Sequence, residues 1–170
     1  MSYSISIDPG VTGQGMAVWD NDYWLDCVPP VAVANLHPKG SKTDTWEQRK
    51  LKQFVNFVNI IQEFEPTHIF CEGQAFHEST AKGYTAMQRG DIIKLTHFCG
   101  MMEGCAILRG IQWKEVTVIE WRGQMPDSAV EARVIDRLGR DICSNLGLKT
   151  HLWDACAIGL HVKGCWKQAR

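Results

Sequence analysis

The fold is decided near the start of the chain, by the stretch Tyr3-Ser4-Ile5-Ser6-Ile7-Asp8-Pro9-Gly10-Val11-Thr12-Gly13. Its apolar residues alternate with serines, which predicts a strand with one apolar face. Pro9 has no amide donor and Gly10 tolerates positive φ, so the strand ends there in a turn. Asp8 is thereby held at the strand's end, and Gly13 and Gly15 leave room for a phosphate or metal to approach the backbone. The same tripeptide is also an ordinary turn, so a functional interpretation depends on other acids reaching this place.

The composition is that of an ordinary globular protein. With 170 residues, 45% of them hydrophobic and 22% charged, the chain suits a single domain covering residues 1–170 rather than a disordered or fibrous protein. No apolar run approaches a membrane span and no secretory signal precedes the first strand, so we expect a cytoplasmic protein without a membrane partner. The seven cysteines lack CxxC spacing. We therefore expect reduced, mostly buried thiols, with Cys165 as the candidate for an exposed one.

The charge is balanced as a whole but uneven along the chain. The formal net charge of −1 gives no hint of a polyanionic partner. Residues 37–52, however, carry five cations against two acids, and residues 161–170 carry three cations and no acid. Local basic patches on a neutral protein are compatible with nucleic-acid binding, and they are equally common as solvated surface.

Hydrophobic periodicity predicts the remaining elements. Segments 14–19 and 23–33 are β-prone and follow the first strand as antiparallel neighbours. A helix from residue 45 ends before Pro66, and a buried strand covers residues 67–72. A helix over 85–108 has a face of small residues that can pack on the sheet or on a second copy of the chain. A further strand is predicted at 115–120.

Two helices complete the predicted chain. Ser128, with Glu131 three residues on, has the spacing of a capping box, and the helix that it begins ends near Gly147. Thr150 is predicted to cap the last helix, over 151–162. The order β-β-β-α-β-α-β-α-α predicts an α/β fold, with a mixed five-stranded sheet and helices on both faces.

Further acids follow the pattern of Asp8. Glu72 ends the strand at 67–72 and is followed by Gly73. His151 and Asp154 lie three residues apart and therefore on one face of the last helix. The rest of that helix is apolar or small, and a buried acid there is unfavourable unless it is paired or binds a cation, although the helix N-terminus favours it modestly.

The predicted topology allows these groups to meet at one edge of the sheet. Three unpaired carboxylates in one cleft repel each other, and hard divalent cations remove that repulsion. The natural reaction of such a site is phosphodiester hydrolysis with two metal ions. His151 fits as a ligand or as a general base, with Mg²⁺ or Mn²⁺.

Three motifs carry a family resemblance. They are Ile7-Asp8-Pro9-Gly10 with Thr12-Gly13, then Cys71-Glu72-Gly73-Gln74-Ala75-Phe76, then His151-Leu152-Trp153-Asp154-Ala155. In order and spacing they resemble the RuvC family of Holliday-junction resolvases within the ribonuclease H-like superfamily, in particular its short phage-encoded members. The resemblance covers essentially the whole chain, and it implies a ribonuclease H-like sheet and, for a phage protein, action in the bacterial cytoplasm.

The resemblance also implies an activity. It implies a homodimer that cuts two opposing strands of a four-way DNA junction, with two ions of Mg²⁺, or alternatively Mn²⁺, in each active site. It places the catalytic and metal-binding groups on Asp8, Glu72 and Asp154, with His151 where family members carry Asp or His. It further implies that Phe76 wedges at the junction and that the helix from about residue 85 helps to form the dimer.

The chain departs from the family in one stretch. Bacterial members carry a basic, glycine-containing segment before the penultimate helix, whereas this chain has Trp121-Arg122-Gly123-Gln124-Met125-Pro126-Asp127, with Arg122 as its only cation. The sequence therefore does not identify the cation that would stabilise the transition state. We expect basic side chains to contact phosphates, and the candidates are Lys39, Lys42, Lys82, Arg89 and Arg122.

Other functions remain open from the sequence. Actin-like sugar kinases and ATPases also begin a phosphate loop with aspartate, glycine and threonine, but they need two such domains with a nucleotide cleft between them. A non-catalytic DNA-binding protein of the same fold would keep the acids only to organise the structure. The plainest alternative is an α/β domain in which these turns coincide by chance.

Overall fold

A mixed sheet of five strands, in the order β3-β2-β1-β4-β5, forms the centre of the protein. The computed structural model describes residues 2–23, 27–36, 44–73 and 90–166. Strands β1 and β2, and β2 and β3, pair antiparallel, whereas β1 and β4, and β4 and β5, pair parallel. The strands are β1 (Tyr3–Asp8), β2 (Gly15–Asp20), β3 (Ala32–Asn35), β4 (His68–Gly73) and β5 (Gln112–Thr117).

Six α-helices are present in the part of the chain that the structure describes. They are α1 (Trp46–Phe64), α2 (Asp91–Leu108), the short α3 (Val118–Trp121), α4 (Asp127–Leu138), α5 (Arg140–Asn145) and α6 (His151–Val162). A 3₁₀ turn at Asn21–Tyr23 follows β2. Within the described ranges, no helix is both long enough and apolar enough to span a membrane.

The helices cover both faces of the sheet, each over its own core. Helices α1 and α2 pack against one face, where Ile5 and Ile7 of β1 meet Phe57 and Phe98. Helices α4 and α6 pack against the other face. Because successive side chains of a strand alternate, the polar residues of β1, including Asp8, point toward α6. The predicted α/β fold, with a mixed five-stranded sheet and helices on both faces, is confirmed.

Helix α6 lies very close to the sheet. The Ser6 hydroxyl donates a hydrogen bond to the carbonyl of Ala155 at 2.7 Å and accepts one from Trp19 Nε1 at 2.8 Å. Gly159 has no room for a side chain, because a Cβ atom there would run into the indole ring of Trp19. The first turn of α6 is therefore held at a fixed height over the ends of the strands.

The helix predicted from residue 45 is confirmed as α1. Thr45 caps α1 through a capping box with Gln48. Other predictions from local sequence signals are wrong. The predicted strand at 115–120 instead ends at Thr117, whose side chain forms a capping box with Glu120 and begins α3. The single helix predicted from Ser128 is broken at Gly139, where φ is 89°, and the expected capping box of Ser128 is not formed because the helix begins one residue earlier. The third strand was predicted at 23–33, but β3 lies at Ala32–Asn35 and shares only two residues with that segment.

The cysteines depart from the expectation of reduced thiols. Cys27 and Cys165 form a disulfide with a Cα–Cα distance of 5.7 Å, although 138 positions separate them in the sequence. Cys165 is buried rather than exposed. The fold brings the two residues within the distance that a disulfide requires, and spacing along the chain carries no sign of this. The other five cysteines are free.

Candidate active site

The sheet brings two of the predicted acids together. Ile7 of β1 pairs with Cys71 of the parallel strand β4. The next residues, Asp8 and Glu72, therefore lie side by side where the two strands end. Both point to the face that α6 covers, since they follow the alternation of their strands. The strand ends thus place two carboxylates at the same edge, as the sequence predicted.

The first turn of α6 brings His151 against Asp8. The distance from His151 Nδ1 to Asp8 Oδ2 is 2.6 Å. The Asp8 side chain is only 8% exposed, whereas that of His151 is 34% exposed. Burial raises the pKa of Asp8, and the hydrogen bond and charge of His151 offset part of that rise. The hydrogen bond to Asp8 raises the pKa of His151 in turn. The pair therefore holds a proton between the sheet and the helix.

Glu72 and Asp154 show that these acids repel each other. Burial, followed by the charges of Asp8 and Asp154, raises the pKa of Glu72 to about 8. Burial and then the charge of Asp8 raise the pKa of Asp154 to about 6. Each shift means that the ionised form is disfavoured where it stands. A cation placed among these groups would relieve both effects.

Arg122 supplies a positive charge at the same place. Its guanidinium lies 3.7 Å from Asp154, measured from Nη1 to Oδ2, and it forms an ion pair with Asp127 at the start of α4. Its Nε donates to the carbonyl of Met125 at 2.9 Å. The charge of Arg122 also lowers the pKa values of Asp8 and Glu72 in part. Arg122, predicted as a phosphate contact, thus lies beside the acids.

Two glycines in or next to the opening stretch make room for other parts of the fold rather than for a ligand. A Cβ atom on Gly10 would run into the carbonyl oxygen of Gly13 and would lie 3.0 and 3.1 Å from ring atoms of His151, and one on Gly15 would run into the backbone of His151 and Leu152. The φ of Gly10 is not positive. The expectations that Gly10 serves a positive φ and that Gly15 makes room for a phosphate or metal are therefore wrong. Gly15 instead makes space for the first turn of α6, whereas Gly10 makes space mainly for the Gly13 carbonyl in its own turn.

The four predicted ligands are neighbours, but they do not converge on one point. Within residues 2–23, 27–36, 44–73 and 90–166, no three His, Cys, Asp or Glu side chains are arranged to hold a metal ion. The Asp8–His151 hydrogen bond occupies atoms that a metal would need. The donor set nevertheless fits a hard divalent cation, since three carboxylates with raised pKa values share one edge. The metal site stays a prediction.

An open cavity of about 400 Å³ adjoins these residues. It is lined by Asp127, Glu131, Thr150, His151, Trp153 and Asp154. Thr150, predicted to cap α6, makes no capping hydrogen bond and has a φ of 35°. A β-branched residue rarely adopts such a conformation, and here it stands directly before His151.

Three residues contribute to the site without having been predicted. The buried indole N–H of Trp121 has no hydrogen-bond partner of ordinary geometry in the described structure, yet it lies near enough to Glu72 to lower its pKa. Asp127 holds Arg122, and Ser6 fixes α6. The alternation of β1 was a usable signal for Ser6. The ion pair of Asp127 with Arg122 joins residues five apart in sequence, whereas the role of Trp121 depends on a contact across the fold.

The remaining predicted DNA contacts lie outside the described residues. These are Lys39, Lys42, Phe76, Lys82 and Arg89. Of the predicted site, the structure brings together Asp8, Glu72, His151, Asp154 and Arg122.

Known proteins were compared with the chain by sequence and by structure. No protein-family model matches the sequence, and no curated protein matches it either. Among solved structures, RuvC from T. thermophilus in complex with a Holliday junction substrate is similar, with a TM-score of 0.69 and 20% identity over 95% of this chain and 92% of that one.

Two further structures show the same likeness. A structure of Thermus thermophilus RuvC gives a TM-score of 0.57 and 21% identity, over 94% of this chain and 92% of that one. The fowlpox virus Holliday junction resolvase gives a TM-score of 0.52 and 14% identity, over 95% of this chain and 98% of that one. The chain therefore has the fold of RuvC. In this chain, β1, β4 and α6 bring the acidic residues to one edge of the sheet.

Proposed function

We propose that the protein is a metal-dependent endonuclease that resolves four-way DNA junctions by paired phosphodiester hydrolysis. One observation carries the proposal. Asp8, Glu72, His151 and Asp154 meet at one sheet edge and shift each other's pKa values, in a chain with the fold of a RuvC that was solved with a Holliday junction. These acids keep raised pKa values despite the charges of His151 and Arg122, so they are unfavourable for folding, which supports a functional reason for their presence.

Mg²⁺ or Mn²⁺ is the proposed cofactor, at two ions per site, held by Asp8, Glu72, Asp154 and His151. When bound, such ions supply an activated water and stabilise charge on the leaving oxygen. For this, the carboxyl groups must give up the protons that their raised pKa values favour, and His151 must exchange its hydrogen bond with Asp8 for a ligand role. Arg122 offers a positive charge beside Asp154 for a phosphate oxygen.

The proposed assembly is a homodimer formed through α2. A groove of about 450 Å³ runs along this helix, lined by Phe54, Gly100, Met101, Gly104, Cys105, Leu108 and Arg109. Among the residues that the structure describes, none comes within 4 Å of a Cβ atom added at Gly100 or Gly104. Leu108 is 89% exposed and Ile93 is 76% exposed. Apolar side chains beside an open, small-residue surface favour a second copy of the helix as the occupant.

Sedimentation tests this assembly. Leu108→Asp should shift the protein toward the monomer, because it places a charge in an apolar contact. Ile119→Asp is the matched control, since Ile119 is an exposed apolar residue on α3. A monomeric wild-type protein, or equal effects of both substitutions, would remove α2 as the dimer interface.

The remaining predictions are part of the proposal. Lys39, Lys42, Lys82 and Arg89 are proposed as phosphate contacts, and Phe76 as a wedge at the junction. We also propose a single domain and a cytoplasmic location, although the Cys27–Cys165 disulfide is not what that location leads one to expect.

Cleavage of a synthetic four-way junction is the decisive experiment. With Mg²⁺ or Mn²⁺, the wild-type protein should cut the junction at paired positions and leave a linear duplex of the same sequence intact. Asp8→Asn and Glu72→Gln should abolish cleavage and leave junction binding equal or stronger, because a carboxylate that repels phosphate is gone. Asp22→Asn and Glu63→Gln, both at exposed acids, are the matched controls.

The result also separates the alternatives. Full activity in Asp8→Asn or Glu72→Gln would contradict the assignment of these residues. Tight junction binding without cleavage under any divalent cation would instead support a non-catalytic DNA-binding protein of this fold.

A further inference from the structure

A second cavity lies on the far side of Trp153 from the candidate active site. Its volume is about 360 Å³, and its lining includes Arg140, Ser144, Lys149 and Trp153, with Cys143 and Leu148 as its buried part. Trp153 also lines the cavity that contains His151 and Asp154. One partly buried indole thus separates two neighbouring cavities, and each has a volume typical of a small-ligand site.

The two cavities have opposite charges. The cavity beside the active site is lined by three acids, Asp127, Glu131 and Asp154. The second is lined by two exposed cations, Arg140 and Lys149, and by no acid. Throughout the described ranges, neither cation has an ion-pair or hydrogen-bond partner for its side chain. Their charges therefore remain available to an anion that the acidic cavity would repel.

This combination of groups matches a nucleotide. Two cations about a cavity suit a phosphodiester, which protein side chains of this kind bind without reading the sequence. An aromatic wall suits the base, since stacking of a base on an aromatic side chain is favourable for every base. The hydroxyl of Ser144 adds a neutral hydrogen-bonding group on the same lining.

We propose that the cavity of Arg140, Lys149 and Trp153 binds a nucleotide of the DNA strand adjacent to the phosphate that is cut. The phosphate of this nucleotide lies between the two cations, and its base stacks on Trp153. This inference rests on the proposed function, because the strand reaches the second cavity from the one that contains His151 and Asp154. The acidic cavity then receives the scissile phosphate only with its metal ions, whereas the cationic cavity holds the neighbouring one without them.

The test uses metal-free protein and a four-way junction in which 2-aminopurine replaces single bases on either side of the cut position. Stacking on Trp153 should quench the fluorescence at one or two adjacent positions. Trp153→Leu should remove most of that quenching, and Trp153→Phe should retain it, because a benzene ring still stacks. Retention in the Phe variant also shows that loss of folding is not the cause.

The cations are tested through the salt dependence of binding. Arg140→Gln with Lys149→Gln should reduce the slope of log affinity against log salt by about 0.7 to 0.9, since the two cations share one phosphate and one phosphate contact contributes roughly that amount. The control is Lys114→Gln, which removes an exposed positive charge from β5. The control slope should stay close to that of the wild type.

The outcomes separate the two proposals. If the wild-type protein cleaves the junction but Trp153→Leu keeps full quenching, or the control loses as much slope as the double variant, only the cavity assignment is overturned. If the wild-type protein neither prefers nor cleaves the four-way junction, the proposed function fails and the cavity assignment falls with it.

Discussion

The two faces of the sheet present different kinds of side chain, although the same strands form both. On the α1 and α2 face, β1 contributes Ile5 and Ile7 to a core of large apolar side chains. On the α6 face, the same strand contributes Ser6 and Asp8, which bind α6 through hydrogen bonds. Alternation along one strand thus separates the side chains of the apolar core from the polar side chains that meet α6.

This division has an energetic reason. An acid such as Asp8, with a pKa raised by burial, opposes folding when it is ionised. A buried isoleucine favours folding by about 1.5 to 3 kcal/mol. The apolar face therefore stabilises a sheet whose other face is partly unfavourable, and substitutions on the two faces should have different signatures.

The largest contrast is expected between Asp8→Asn and Ile5→Ala. Asp8→Asn should lower cleavage by about three orders of magnitude or more, because metal-assisted stabilisation amounts to several kcal/mol. Its free energy of unfolding should change little or rise. Ile5→Ala should lower that free energy by about 2 to 5 kcal/mol, while the folded fraction keeps its cleavage rate within a few-fold. Urea unfolding and single-turnover cleavage measure both, and a stable, active Asp8→Asn protein would break the comparison.

The next contrast uses one substitution on both faces. Gly159→Ala on α6 should be destabilising by about 1 to 3 kcal/mol or more, because the added Cβ collides with the indole of Trp19. Gly100→Ala on α2 should stabilise the monomer by about 0.5 to 1 kcal/mol, because its Cβ meets open space. Thermal unfolding at low protein concentration checks both. Effects of the same sign would contradict the close contact of α6 with the sheet.

The pH dependence of stability should identify the acidic face. In the folded protein the pKa of Glu72 is about 8 and that of Asp154 about 6, against ordinary values of 4.5 and 3.8. Between these values the folded state binds more protons than the unfolded chain, so metal-free stability should be greatest in acid and fall as the pH rises to 8. The raised pKa values of Asp8 and His151 act in the same direction.

Glu72→Gln isolates one part of this fall. It should flatten the loss of stability between pH 4.5 and 8, by about 1.4 kcal/mol for each unit of pKa rise that it removes. Urea unfolding in EDTA at several pH values measures the effect, with Glu63→Gln as an exposed control. Parallel curves for the wild type and Glu72→Gln would show that burial of Glu72 has no such effect.

The smallest contrast lies within β1 itself. Ser6→Ala should cost about 1 to 3 kcal/mol, because the Ser6 hydroxyl links the Trp19 indole to the Ala155 carbonyl. Ser4→Ala should be neutral or stabilising, because the buried Ser4 hydroxyl has no partner among the residues that the structure describes. Chemical denaturation resolves both, and equal losses would mean that Ser4 has an undetected partner.

Local signals were sufficient for the positions of the acids. Asp8 and Glu72 could be predicted because each ends an apolar strand, and parallel neighbours end at the same edge. His151 and Asp154 followed from helical spacing alone. The capping box of Thr45 is also a contact between neighbours in sequence, and a sequence pattern can indicate such a contact.

Signals that depend on distant contacts, or that compete locally, were not sufficient. The β-branched run before Ile119 hid the capping box of Thr117, and the stripe of α4 concealed the break at Gly139. The Cys27–Cys165 pairing exists only after the chain has folded. The same is true of Gly15, whose missing side chain matters only once α6 is in place.

Gly15 and Gly159 together set how near α6 comes to the sheet. At Gly15 the contact is with the backbone of α6, which cannot repack as a side chain can. The spacing between the acids of the strands and those of the helix is therefore a property of two layers pressed together. Transferring this site to another scaffold would require the glycines that let the helix approach the sheet, as well as Asp8, Glu72, His151 and Asp154. These four residues alone would not reproduce the distances between their side chains.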